Sequence, residues 1–166
     1  MVLPNGPEMA LAFLAVATAA ASAPLNPAYH QQEFDFYLSD MKAKALITLA
    51  GLDSPALAVA RQHRIPVIEL TPQTDDAAGL FMLSGVSSGN AQTSNVAHSD
   101  DVALILHTSG TTSRPKMVPL TQRNLCASAA YIRQTLQLEP HDCCLNVMPL
   151  FHIHGLVEAT LASLAA

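Results

Sequence analysis

One junction constrains this chain more than any other. An apolar run with β-branched members, Val102 to Leu106, feeds directly into His107-Thr108-Ser109-Gly110-Thr111-Thr112-Ser113-Arg114-Pro115-Lys116. That order predicts a strand ending in a tight loop whose donors face an anion. Gly110 lets the backbone approach a ligand closely and take positive φ where required. Successive backbone N–H groups in such a loop form a concave anion nest. The hydroxyls of Thr108, Ser109, Thr111, Thr112 and Ser113 add donors along the same path, Pro115 stiffens it, and Lys116 supplies a mobile point charge. The ordinary P-loop is excluded, because that motif needs a second glycine before the lysine and Ser or Thr after it, whereas Met117 follows here. A Ser/Thr-rich surface turn is the competing reading. The order of strand, loop, proline and lysine favours polyphosphate binding over it.

Two further segments carry a signal. Pro149-Leu150-Phe151-His152-Ile153-His154-Gly155-Leu156 lies downstream, and Ala23-Pro24-Leu25-Asn26-Pro27-Ala28-Tyr29 precedes Glu33-Phe34-Asp35-Phe36-Tyr37-Leu38-Ser39-Asp40 upstream. Together with Thr108–Lys116 and Val118-Pro119-Leu120-Thr121-Gln122, these resemble motifs of the adenylate-forming superfamily. The resemblance is strongest to the peroxisomal CoA-synthetase-like branch that includes oxalate–CoA ligases. It departs at Ser113 and Met117, where the family commonly carries glycine, although serine at the first position also occurs in the oxalate-type branch.

The resemblance implies an α/β fold of layered sheets and helices, as a partial N-terminal domain of an adenylate-forming enzyme. It implies ATP, Mg2+ and CoA as cofactors and a small carboxylic acid as substrate. A carboxylate attacks the α-phosphate of ATP to give an acyl-adenylate and pyrophosphate, and the CoA thiolate then displaces AMP. Thr108, Ser109, Gly110, Thr111, Thr112, Ser113 and Lys116 would hold the β- and γ-phosphates. Phe151, His152, His154 and Gly155 would form the acyl site, with His152 beside the adenylate and a packing role equally open for His154. Other acids, aromatic or medium-chain, remain open as substrates, as does a non-catalytic nucleotide-binding relic. The adenine segment, ribose-binding aspartate, hinge and catalytic lysine of the family are expected beyond Ala166. Residues 1–166 then read as a fragment of the large N-terminal AMP-binding domain, inactive alone, from a protein of the cytoplasm or peroxisome.

Composition limits the rivals. With 166 residues, half of them hydrophobic and 13% charged, the chain can bury a sizeable core and lies far from the disordered class. Eight Lys and Arg against thirteen Asp and Glu leave a net charge of −5 and no basic stripe, which argues against nucleic acid as a partner. Cys126, Cys143 and Cys144 are too few for a disulfide framework and wrongly spaced for zinc, so a reducing, intracellular setting is expected. The vicinal pair reads as buried, inert thiols in a strand. Met9 to Leu25 mimics a signal peptide, but Glu8 stands where a basic n-region belongs, and the run is marginal in length for a membrane span. A buried helix leading into a strand explains it better.

Periodicity and punctuation supply the elements. Helices are expected over about 7–19, over 30–39, from a Ser54 or Asp53 cap with Pro55 to about 63, and from a Thr121 cap to about 136 with Leu125, Ala129 and Ile132 inward. Strands are expected over 45–49, 66–70, 100–107 and 143–148, with 116–120 extended and 71–99 a long loop. A helix is expected from Gly155 onward. Glu33, Asp35 and Asp40 read as a solvated helix face, and His63-Arg64 as a surface helix end. The His152-x-His154 spacing would set both rings on one face of a strand, as metal ligands often are. With no third ligand nearby, no metal site is expected.

Overall fold

A computed structural model describes residues 1–85, 97–108 and 115–166. The chain forms two compact units, Met1–Leu11 with Leu25–Thr93 and Ala12–Pro24 with Ser94–Ala166. Helix α1 (Pro7–Ala17) crosses from one to the other and buries Met9, Ala12, Phe13 and Ala17, an i, i+3, i+4, i+8 stripe.

In the first unit β1 (Leu46–Leu49) runs parallel to β2 (Val67–Pro72). Parallel neighbours need a crossover, which α3 (Pro55–Gln62) provides. Its start follows from local chemistry: Pro55 has the φ a first helical residue needs, and the Ser54 hydroxyl accepts from the Ala56 N–H at 3.2 Å. Ala56, Val59 and Ala60 then bury one face of α3, and α2 (Gln31–Asp40) contributes Phe34 and Leu38 to the same core. Val2, Leu25 and Leu46 complete it.

The acids of α2 do more than face water. The Glu33 carboxylate accepts from the His30 N–H at 2.8 Å and closes the first turn. Asp35 Oδ1 lies 2.6 Å from Nε2 of His63, the residue that ends α3, so the two helices are tied at their surface. Burial, with Tyr37 and Glu33 as neighbours, raises the Tyr29 phenol above its usual range, and its ring stacks on Tyr37 at 5.0 Å.

The long loop expected over 71–99 contains a strand. Segment β3 (Phe81–Ser84) pairs antiparallel with β2, Leu70 opposite Leu83. It has no alternation to reveal it, since Met82 and Leu83 are both exposed; the free edge of β2 recruits it. Gly85 follows at φ +81, where a Cβ would stand 2.5 Å from the Val67 carbonyl oxygen. Residues 86–96, also within that expected loop, lie outside the described residues.

The second unit is built on a hairpin. β4 (Val102–Thr108) pairs antiparallel with β5 (Lys116–Thr121), with Thr108 opposite Lys116. Pro119 is accommodated because β5 is an edge strand of the two-stranded ribbon. Ser22 adds a parallel bridge on the far side of β4: its N–H donates to the Ala103 carbonyl and its carbonyl accepts from the Ile105 N–H. Helix α4 (Gln122–Leu136) packs on both strands, on the π-helix His154–Leu161 and on α5 (Ala162–Leu164). It buries Leu125 and Ala129 and half-buries Ile132, then stops where Gln137 turns left-handed at φ 53.

Two expectations fail between α4 and the π-helix. Residues 143–148 form no strand, and Cys143 and Cys144 are exposed, as is Cys126. A strand needs a ladder, and here side chains supply local turns instead: Asp142 Oδ2 accepts from the Glu139 N–H at 2.8 Å and Asn146 Oδ1 from the Met148 N–H at 2.9 Å. Leu145 and Val147 are consequently 86% and 77% exposed.

One buried group lacks a partner among the described residues. Thr48 is 1% exposed, yet its hydroxyl makes no hydrogen bond. Thr48→Val removes a desolvated hydroxyl at nearly constant volume, so urea denaturation should show a gain of about 1 kcal/mol. A loss of stability would mean that the hydroxyl is satisfied.

Candidate active site

The hairpin register sets the first half of the site. Thr108 and Lys116 are cross-strand partners at the open end of the ribbon, and both are exposed. The expected phosphate loop is therefore the hairpin connection, with its first hydroxyl and its lysine at the two ends. Ser109, Gly110, Thr111, Thr112 and Ser113 lie outside the described residues.

At the opposite end of the ribbon, where Thr121 pairs with Val102, the N-terminus of α4 has its donors engaged. Thr121 ends β5 and caps α4: its hydroxyl accepts from the Asn124 N–H at 3.2 Å, while Asn124 Oδ1 accepts from the Thr121 N–H at 3.0 Å. The Gln122 N–H donates to the Asp101 carbonyl at 3.0 Å and the Arg123 N–H to the Ser99 carbonyl at 2.9 Å. The first three donors of the helix are thus taken. Arg123 pairs with Asp100 at 2.8 Å, and the Gln122 amide donates to the Ala17 carbonyl. At the other end of the ribbon, Thr108 and Lys116 are the described residues that could meet an anion.

The second half of the site is the turn that enters the π-helix. Phe151, His152, His154 and Gly155 come together there, in a geometry other than the strand expected from the His-x-His spacing. The His152 N–H donates to the Pro149 carbonyl at 3.1 Å, and the π-helix begins at His154. The two imidazoles have different surroundings. His152 lies 5.2 Å from the Phe151 ring, centroid to centroid. His154 Nε2 lies 2.6 Å from Glu158 Oε2, one turn along the π-helix. Among the described residues no group of three or more His, Cys, Asp or Glu is arranged to hold a metal ion.

Gly155 is required sterically. A Cβ there would run into the Pro149 carbonyl oxygen and stand 2.8 Å from that of Met148. Its own carbonyl accepts twice, from Thr160 Oγ1 at 2.7 Å and from Asn146 Nδ2 at 3.1 Å. Single π turns recur at functional sites. Sequence reasoning missed Asn146 and Thr160, because neither is marked by spacing or by residue type. Volume is no guide to the site either: one groove of this unit, about 390 Å³, is apolar and lined by Phe13, Leu125, Ala129, Leu161 and Leu164.

The whole chain, residues 1–166, matches the AMP-binding enzyme family. It belongs to that family. Over 170 residues it is 44% identical to the oxalate–CoA ligase of Arabidopsis thaliana, covering all of this chain and 33% of that one. It is 37% identical to the oxalate–CoA ligase of Saccharomyces cerevisiae over 182 residues, covering 96% of this chain and 34% of that one. Among solved structures it resembles ATP-bound MatB from Rhodopseudomonas palustris, with a TM-score of 0.78 and 27% identity over 98% of this chain and 32% of that one. The chain spans about a third of the length of the curated relatives it matches. The α/β fold expected from the motifs is that of the N-terminal part of adenylate-forming enzymes. No helix among the described residues is long and apolar enough to cross a membrane.

Gly155→Ala should cost about 1–3 kcal/mol, since the new methyl must displace backbone carbonyls. Chemical denaturation checks this, and an unchanged midpoint would show that the Met148–Pro149 segment yields without cost.

Proposed function

We propose that this chain carries the phosphate loop and acyl site of an ATP-dependent acid–CoA ligase of the oxalate type, as part of the large N-terminal domain of a longer enzyme. The observation that carries the reading is Thr108 facing Lys116 across the mouth of a hairpin whose connecting sequence is rich in Ser and Thr. Identity to two oxalate–CoA ligases supports the substrate class.

The first step joins two anions and expels a third, so neutralising and positioning charge is most of the catalytic work. Thr108 to Ser113 and Lys116 hold the β- and γ-phosphates as they become the leaving group. Mg2+ carried in on ATP would supply further neutralisation of phosphate charge. His152 orients the carboxylate, with Phe151, His154 and Gly155 shaping its pocket. CoA is the second-step substrate. The setting is cytoplasmic or peroxisomal. Alone, the 166-residue chain turns nothing over.

Acid-dependent ATP–pyrophosphate exchange in a full-length ligase carrying this segment tests the reading. Exchange greatest with oxalate supports it. Preference for an aromatic or medium-chain acid assigns another ligase, and no exchange with any acid leaves a nucleotide-binding relic. In the active enzyme Lys116→Ala should slow adenylation by roughly 10²–10³-fold and thioester formation from preformed acyl-adenylate far less. Equal losses in both half-reactions would remove the phosphate role of Lys116.

A further inference from the structure

We propose that Asn146 is a positioning residue for the acyl site: its side-chain amide closes the base of the turn that carries Phe151, His152 and His154. The proposal rests on the acyl-site reading above. Asn146 Oδ1 accepts from the Met148 N–H at 2.9 Å, and Nδ2 donates to the Gly155 carbonyl at 3.1 Å. One amide therefore grips both ends of the Met148–Gly155 segment. A carboxamide suits this position because it offers an acceptor and a donor from adjacent atoms.

The contacts inside the turn explain why the brace matters. The segment leaves Asn146 with exposed residues on both sides, Leu145 and Val147, so apolar packing does not fix its entry. At its far end the Gly155 Cα sits against the carbonyls of Met148 and Pro149, an approach that brings two backbone strands together without a side chain between them. The His152 N–H bonds to Pro149, and the Leu156 N–H bonds to His152 at 3.2 Å, so the histidine is fixed relative to both ends of the turn. Thr160 holds the Gly155 carbonyl from the π-helix side at 2.7 Å, and Asn146 holds it from the loop side. Loss of Asn146 frees the loop side while Thr160 keeps the π turn. His152 and Phe151 then lose their register, and the phosphate hairpin keeps its own hydrogen bonds.

Asn146→Asp and His152→Ala are compared in the full-length ligase. Aspartate keeps the acceptor for Met148 and sets an oxygen against the Gly155 carbonyl, so it breaks one arm of the brace. Asn146→Asp should raise KM for the acid about tenfold and leave KM for ATP unchanged. His152→Ala tests the acyl-site reading itself. If it raises the acid KM while Asn146→Asp does not, the positioning role is overturned and the site stands. If His152→Ala leaves the acid KM unchanged, the site reading falls. Amide hydrogen exchange in the 166-residue chain gives a readout that needs no turnover. The His152 N–H should exchange at least tenfold faster in Asn146→Asp, with the β4–β5 amides unchanged. Uniform acceleration across the chain would mark Asn146 as merely structural and overturn the proposal.

Discussion

Thr121 is the residue on which the second unit turns. It is the last residue of β5 and the N-cap of α4, so the hairpin register and the helix start are one constraint. Its hydroxyl and backbone each bond to Asn124, while Asp101 and Ser99 take the next N–H groups. Helix α4, fixed in this way, supports the strands on one side and the π-helix with α5 on the other. Both halves of the candidate site therefore inherit their placement from one helix. Caps of this kind contribute about 1 kcal/mol to stability; the larger consequence is directional. A helix whose first donors are bonded to carbonyls and a hydroxyl cannot also bind phosphate through them. That helix start lies at the end of β5 opposite Lys116, a whole strand away from the hairpin connection.

Legibility followed the range of the interaction. α3 and α4 were readable to within a residue or two, because Ser54, Pro55 and Thr121 act on N–H groups two or three positions away. The ribbon was readable from its β-branched run and from Pro119, although only coordinates set Thr108 opposite Lys116. β3 was hidden because its reason for existing is the edge of β2, a separate segment earlier in the chain. Residues 143–148 looked like a strand by composition, and propensity without a partner ladder does not make one. The helix expected from Gly155 onward is present, but its π character was not legible. Its register depends on a glycine carbonyl bonded by side chains from both directions, and nothing in a helical periodicity announces that.

The pair of histidines shows what local geometry adds to a motif. On a strand, His152 and His154 would be equivalent neighbours on one face. A turn followed by a π-helix makes them unlike. Glu158 stands 2.6 Å from His154, so that imidazole already has a carboxylate partner within the protein. His152 has an aromatic ring as its close neighbour and no carboxylate partner among the described residues. In the proposed site His152 is then the imidazole left to meet the substrate carboxylate, while Lys116 serves the phosphates. Exposed ion pairs such as His154–Glu158 contribute little to stability. The effect of Glu158 is to engage one imidazole and leave the other, and that difference separates two residues that the sequence presents as a matched pair.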